Sequence, residues 1–401
     1  MSRGPSRRLG IAIFSAFLSR RQSRRMHSIS ADAHIEVNLV TSMDKQCGIA
    51  TYSIYLAQEL EKSSKVYVTS LTNKKALNPY FKVLGFLVGR NQDIVHVQFE
   101  YGIFSSLKLG KKSLTAFSAL FFYLGLAMGN RRVVTTIHEP RKTVIASGRS
   151  GVLYTRLLDK LIFAVSEMLV VHTKESKRLL QTVYGVNPSK IQIIPHGSYE
   201  QPIFLDKEAA KEKLGLQQKT VVTILGFVTA KKGHDIVIPL LPKISKDIQL
   251  VIAGGPQNVQ DEKYIAHLKK LADQYGVSDR VTFTGYIEDL TIILNASDVA
   301  LLPYRYVTES GILRLLIAYK VPTLTSDLAA FKEIYDEFGC LDLFRAGDSN
   351  DLKEKLQALL SNSQHRIMLK EKCHEMWNTT KWSNIAKRHL KLYRHILSKK
   401  P

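Results

Sequence analysis

Leu301-Leu302-Pro303-Tyr304-Arg305-Tyr306-Val307-Thr308-Glu309-Ser310-Gly311-Ile312-Leu313, running on to Val321-Pro322, decides how this chain is read. An apolar strand (Val299 to Leu302) enters a polar turn. A helical pattern on Leu313, Leu316 and Ile317 follows, and Val321-Pro322-Thr323-Leu324 leads into another strand. The first N–H groups of a helix have no internal partner, and its dipole favours negative charge there. A strand, a tight turn carrying a carboxylate beside a glycine, and a helix opening at that turn form an anion-binding device suited to a nucleoside diphosphate. The competing reading is a small residue kept at a strand-to-helix turn for packing alone.

Outward from this stretch, strands and helices alternate. Ile35 to Val40, Lys65 to Leu71, Ile94 to Gln98, Val133 to Ile137, Met168 to His172 and Ile191 to Pro195 read as strands, with a helix over Ile49 to Leu60. A second set reads Thr220 to Phe227, Gln249 to Ala253, Val281 to Phe283, Val299 to Leu302, Thr323 to Thr325 and Leu341 to Phe344. Helices are expected over Asp235 to Ile244, Lys263 to Tyr275 and Leu290 to Asn295. Continuous apolar runs suit parallel strands covered on both faces. The pattern predicts an α/β fold of two doubly wound, Rossmann-like domains over residues 31–200 and 201–383, with Gly197 to Lys219 as linker. The final segment, 384–401, carries a helix over Asn384 to Leu397, long enough to cross back onto the first domain.

Composition narrows the partners. The net charge is +22, and the first 200 residues hold 28 basic against 12 acidic side chains. Such an excess fits phosphorylated substrates or an anionic membrane face, and a diffusely solvated surface is the plain alternative. No recognition-helix, zinc-finger or RNP-type pattern supports nucleic acid. Cys47, Cys340 and Cys373 are too few and too scattered for a disulfide framework or zinc cage, which points to a reducing cytoplasm. Residues 1–30 are expected to be a disordered basic extension, with seven Arg and no acid in the first 25. Targeting, an interfacial segment, or a true start at Met26 are its readings. Ser113 to Gly129 is a mostly apolar run flanked by Lys111, Lys112, Arg131 and Arg132, read as a buried helix or as partial insertion into a bilayer face.

The motifs resemble a known family. Gln46-Cys47-Gly48-Ile49-Ala50-Thr51-Tyr52 resembles the glycine loop opening family 4 glycosyltransferases of the GT-B fold. Asp93-Ile94-Val95-His96-Val97-Gln98-Phe99-Glu100-Tyr101-Gly102-Ile103-Phe104 is similar to a segment found in a subset of that family. Thr136-Ile137-His138, Ile194-Pro195-His196-Gly197, Gly226-Phe227, Lys232-Gly233, Ala253-Gly254-Gly255, Val281 to Tyr286 and Ala296-Ser297-Asp298-Val299 follow in the family's order.

The resemblance implies a retaining hexosyltransferase acting on a nucleotide-diphospho-sugar donor and a glycan or lipid-linked acceptor. It would be cytoplasmic, peripheral at the inner membrane face, and part of polysaccharide biosynthesis. Breaking the donor's bond leaves a diphosphate whose charge must be stabilised. The chain has no Asp-x-Asp pair, so no metal or other cofactor is expected and Lys232 is the favoured cation. The family's Arg three residues before it is Thr229 here, with Lys231 as the substitute. Donor-binding candidates are Gly48, Gly226, Lys231, Lys232, Gly254, Tyr286, Glu309, Ser310, Gly311 and Ile312. His138, Glu309 and Lys232 are the catalytic candidates, and Glu100, Tyr101 and His138 face the acceptor. Against these stand a solvated lysine, a plain turn at Gly48, and a structural histidine at 138. The family's second carboxylate is missing: Ile317, or Leu315 if aligned on Pro322, occupies its place. A non-catalytic, sugar-nucleotide-binding relative and another GT-B enzyme such as a sugar-phosphate synthase are the alternatives.

Overall fold

The computed structural model describes residues 34–43, 48–71, 78–104, 107–109, 112–114, 116–129, 132–140 and 148–399. The basic extension, Gln46-Cys47 of the glycine loop, and the flanks Lys111 and Arg131 lie outside the described residues.

Val- and Ile-rich runs form the strands, as their β-branched side chains favour. In the first unit these are β1 (Glu36–Thr41), β2 (Lys65–Ser70), β3 (Ile94–Phe99), a hairpin of β4 (Leu107–Leu109) and β5 (Lys112–Leu114), then β6 (Val133–Ile137), β7 (Met168–Val171) and β8 (Ile191–Ile193). Six of them make a parallel sheet in the order β2-β1-β3-β6-β7-β8. The second unit adds β9 (Thr220–Leu225), β10 (Ile248–Ala253), β11 (Val281–Gly285), β12 (Val299–Leu302), β13 (Thr323–Ser326) and β14 (Asp342–Phe344). Its parallel order is β11-β10-β9-β12-β13-β14. Both are doubly wound, and ligands in such sheets bind beyond the carboxyl ends where the strand order reverses. Those reversals fall between β1 and β3, and between β9 and β12.

Three elements differ from expectation. Asp235 to Ile244 is not an α-helix but two 3₁₀ turns, His234–Ile236 and Ile238–Lys243. Pro239 and Pro242 lack the N–H groups that an α-helix would use there. The linker contains a helix, Lys207–Lys213, capped by Asp206, whose carboxylate accepts from Ala209 N–H at 2.9 Å. Lys207 and Lys211 tie it to Asp298 at 2.7 and 3.0 Å, so it packs as part of the second unit. The apolar run at 113–129 begins in β5 and yields only the twelve-residue helix Phe117–Met128. Phe122, Tyr123 and Leu126 are buried, and the helix packs on Asn78–Leu87 and Gly148–Val165. This agrees with the buried reading. Among the described residues no helix is long and apolar enough to cross a membrane.

The last helix, Trp382–Ser398, returns to the first unit. Trp382, Ile385, Leu390, Tyr393 and Ile396 share a core with Val37, Leu39, Tyr52, Leu56 and Leu60. Burying a side chain of that size is worth roughly 1.5–3 kcal/mol, so the docking is strong. Outgoing and returning chains pair where they cross, with Ser198 N–H donating to Thr380 O at 2.8 Å.

Candidate active site

The two reversal points face each other across a cleft of about 850 Å³. From the second domain, Gly226 follows β9, Lys232 lies on the next turn, and helix Gly311–Ala318 opens after β12. Ser310 caps that helix, its hydroxyl accepting from Leu313 N–H at 3.2 Å. The N–H groups of Gly311 and Ile312 have no partner among the described residues. Gly226 has φ +86°, and a Cβ there would sit 2.6 Å from Lys232 Nζ and 3.0 Å from the Ile312 side chain. The lysine and the helix end therefore flank one point on the same side of the cleft. Lys232 Nζ donates to Leu225 O at 3.1 Å and lies 5.5 Å from the Tyr304 ring centroid. Burial, with Lys231 close by, pushes its pKa down to about 7. An anion beside it would restore the charge.

A second set of contacts fixes the lysine's turn. Arg305 grips Asp235 at 2.9 and 2.6 Å and donates to Ala230 O at 2.6 Å. The Arg305 N–H donates to Lys231 O at 2.8 Å. The loops after β9 and β12 are thus bound to each other. Across the cleft mouth, the rings of Phe227 and Tyr286 lie 22° from parallel, with centroids 6.5 Å apart. Tyr286 is 63 % exposed.

Glu309 is buried with Arg314. The guanidinium Nε lies 3.0 Å from Oε1 and Nη2 3.4 Å from Oε2. Desolvation works to raise the carboxyl pKa, but the charge and hydrogen bond of Arg314 outweigh it and hold it below the usual range. The pairing leaves Glu309 ionised with both oxygens already facing a donor.

From the first domain come Gly48, Tyr52, Glu100, His138 and His196, with Trp382 from the returning helix. Glu100 caps the turn after β3 by accepting from Gly102 N–H at 2.7 Å. The wall behind them is a ring of imidazoles around Tyr52, whose ring meets His138 and His196 at 4.9 and 5.1 Å. Burial, reinforced by neighbouring histidines, lowers the pKa of His138 far below its ordinary value; burial also lowers that of His172, with Glu309 opposing it. His172 Nδ1 faces Ile194 O at 2.9 Å and must donate; its Nε2 lies 3.3 Å from His138 Nδ1. Gln98 Oε1 faces His138 Nε2 at 2.9 Å and accepts from it. Tyr393 OH completes the chain on His96 Nδ1 at 2.6 Å. Both nitrogens of His138 are committed inside the protein, so the sugar contact expected of it has no free nitrogen in this arrangement.

Gly48, Glu100, His138, Gly226, Lys231, Lys232, Gly254, Tyr286 and Glu309 to Ile312 all line the cleft. Tyr101 does not. It is 4 % exposed, donates to Asp159 and packs on Phe99, so its expected acceptor role is corrected to a core one. Its hydroxyl points into the first domain's core. Sequence reasoning missed Arg314, Tyr52, Phe227 and the Arg305–Asp235 pair. Arg314 had one signal: a lone charge within the apolar run Leu313 to Ala318.

Comparison with known proteins settles the family. The Glycosyltransferase Family 4 model matches residues 35–198 and the Glycosyl transferases group 1 model matches residues 206–376. The chain belongs to the family 4, group 1 glycosyltransferases. It is similar to the D-inositol 3-phosphate glycosyltransferase of Mycobacterium sp. (strain KMS), 31% identical over 143 residues, 34% of this chain and 32% of that protein. The match therefore spans about a third of that relative. Anabaena Alr3699/HepE, solved in complex with UDP and glucose, superposes with a TM-score of 0.72 at 12% identity, covering 90% of this chain and 100% of the other. Sucrose-phosphate synthase from Thermosynechococcus elongatus gives 0.72 at 17% identity over 91% and 100%. These glycosyltransferase likenesses establish the GT-B fold of two facing doubly wound domains.

Proposed function

We propose that this protein transfers a hexose from a nucleoside-diphospho-sugar to a glycan or lipid-linked saccharide, with retention of anomeric configuration and without a metal ion. The observation that carries the reading is the convergence of Lys232 and the open Gly311 and Ile312 amides beside Gly226. Cation and helix end together neutralise a departing diphosphate, the charge that develops as the glycosidic bond breaks. Phe227 and Tyr286 offer aromatic faces on which the base would stack, and the structurally similar Anabaena protein, solved in complex with UDP and glucose, agrees with a nucleotide donor. Glu309, the carboxylate nearest the helix end, is paired with Arg314 and so is not a free covalent nucleophile. The reading is a front-face displacement: the acceptor oxygen attacks the anomeric carbon on the side the diphosphate leaves, and its proton passes to the leaving phosphate.

Peripheral attachment to a cytoplasmic membrane face belongs to the same reading. Leu153 and Leu157 on helix Gly148–Val165 are 61 % and 57 % exposed, with Arg156 and Lys160 exposed beside them. Apolar side chains rimmed by cations suit anionic lipid.

The test is donor turnover without acceptor, across UDP- and GDP-hexoses. Slow release of UDP or GDP that disappears in Lys232→Ala is expected. Tight nucleotide binding with no release from any donor refutes the transferase reading, and an inverted product seen by NMR refutes retention. Failure to float with anionic vesicles at low salt removes the membrane claim.

A further inference from the structure

Two polar groups on first-domain residues that line the cleft have no bonding partner among the described residues. Tyr52, on helix Gly48–Glu61, is 1 % exposed, lines the cleft, and its buried hydroxyl has no partner among the described residues. His196 commits Nδ1 to Gly197 O at 2.7 Å, which makes that nitrogen the donor and leaves Nε2 as an open lone pair. Burial lowers its pKa to about 4 in spite of Glu309, so the ring is neutral. No partner for Nε2 is found among the described residues, and a Cβ at Gly311 would lie 3.9 Å from it. The nitrogen thus looks across the domain gap at the helix end expected to hold the diphosphate.

The two groups belong to one place. Their rings meet edge-on with centroids 5.1 Å apart, and the Glu309 charge acts on both side chains. His138 and His172, the other imidazoles around Tyr52, have both nitrogens engaged. A sugar hydroxyl donates one hydrogen bond and accepts others, and an open donor beside an open acceptor is its complement. A bare nucleoside diphosphate lacks the hexose hydroxyls that such a pair would hold.

We propose that Tyr52 and His196 form the subsite that holds one hydroxyl of the transferred hexose, Tyr52 donating and His196 Nε2 accepting. The inference rests on the nucleotide-sugar reading and names the residues by which the first domain recognises the sugar. It also explains how His196, in place of the committed His138, supplies the imidazole contact. An unpartnered buried hydroxyl is disfavoured in the empty protein, so the sugar relieves a cost that the free enzyme carries.

Isothermal titration of the full chain with UDP and UDP-glucose, and in parallel with GDP and GDP-mannose, separates the possibilities. In Tyr52→Phe the nucleotide alone is expected to bind within about twofold of wild type while the matching nucleotide sugar weakens about tenfold. The melting temperature should hold or rise, since the variant loses only the unpartnered hydroxyl. His196→Ala should repeat the selective loss, and His196→Gln, which keeps an acceptor at a similar reach, should restore part of it. Equal weakening of nucleotide and nucleotide sugar, or no weakening of the sugar in either variant, overturns the subsite while leaving the nucleotide-sugar reading standing. Wild-type protein that binds none of the four ligands overturns both.

Discussion

The two domains meet the cleft at equivalent places in equivalent sheets, and they present opposite surfaces. At the β9/β12 reversal the second domain offers Lys232 and unpaired helix amides. At the β1/β3 reversal the first offers imidazoles that hydrogen-bond mainly to each other and to the backbone. One wall lacks an anion to complete it; the other is nearly complete and neutral. Topology sets where a ligand sits, while the polar groups left without partners set what it is.

The largest effect that would probe this contrast concerns the buried ion pair. Removing the carboxylate in Glu309→Ala strands Arg314 and is expected to cost about 3–5 kcal/mol by chemical denaturation. Adding Arg314→Met should recover most of that loss. If the single variant is as stable as wild type, the charged character of the second wall does not depend on that pair.

Glycines give a paired comparison. At Gly226 a Cβ meets Lys232 and Ile312 at positive φ, whereas at Gly48 it meets nothing within 4 Å. Gly226→Ala is expected to cost about 1–3 kcal/mol in thermal unfolding and to weaken UDP binding. Gly48→Ala should change stability by less than about 0.5 kcal/mol. Equal losses would erase the asymmetry.

Proton linkage sharpens it further. In the empty cleft Lys232 titrates near 7, and a bound diphosphate favours the charged form. Binding therefore takes up a proton above pH 7, so UDP affinity should fall as pH rises from 7 to 9, by at most about tenfold per unit. Titration calorimetry in buffers of different ionisation enthalpy measures the uptake, and Lys232→Met should flatten the profile. The linked stability has the opposite sense. The penalty of burying the ammonium is fully present below pH 7 and is relieved as pH climbs toward the unfolded lysine value.

The smallest effect lies where the walls are held in register. The Glu333 carboxylate accepts from Lys174 N–H at 2.8 and 2.9 Å, capping helix Lys174–Thr182 across the domain boundary. Glu333→Ala should cost about 1 kcal/mol or less in denaturant melts, with UDP affinity nearly unchanged.

Much of this architecture is legible in the sequence because buried parallel strands are written as unbroken apolar runs, as in Val299 to Leu302. The turn from Thr308 to Leu313 was readable too, since cap and glycine chemistry are local. What escaped was nonlocal. Glu309 and Arg314 are five residues apart, outside the spacing at which helix neighbours pair, and meet because the chain turns at Ser310. Tyr101 looked like a cleft residue by position, yet the 3₁₀ turn at Tyr101–Ile103 sends it inward to Asp159. Asp235 to Ile244 shows apolar spacing that fits a helix, and two prolines overrule it.

The returning helix has one more consequence. Trp382 and Tyr393 pack on Leu39, Tyr52 and Leu56, residues synthesised more than three hundred positions earlier. On the ribosome the first domain stays unfinished, with Leu39, Tyr52 and Leu56 short of their cover, until Trp382 to Ile396 emerge. The cleft is in this sense assembled out of order: the wall made first is completed only after the second has been made.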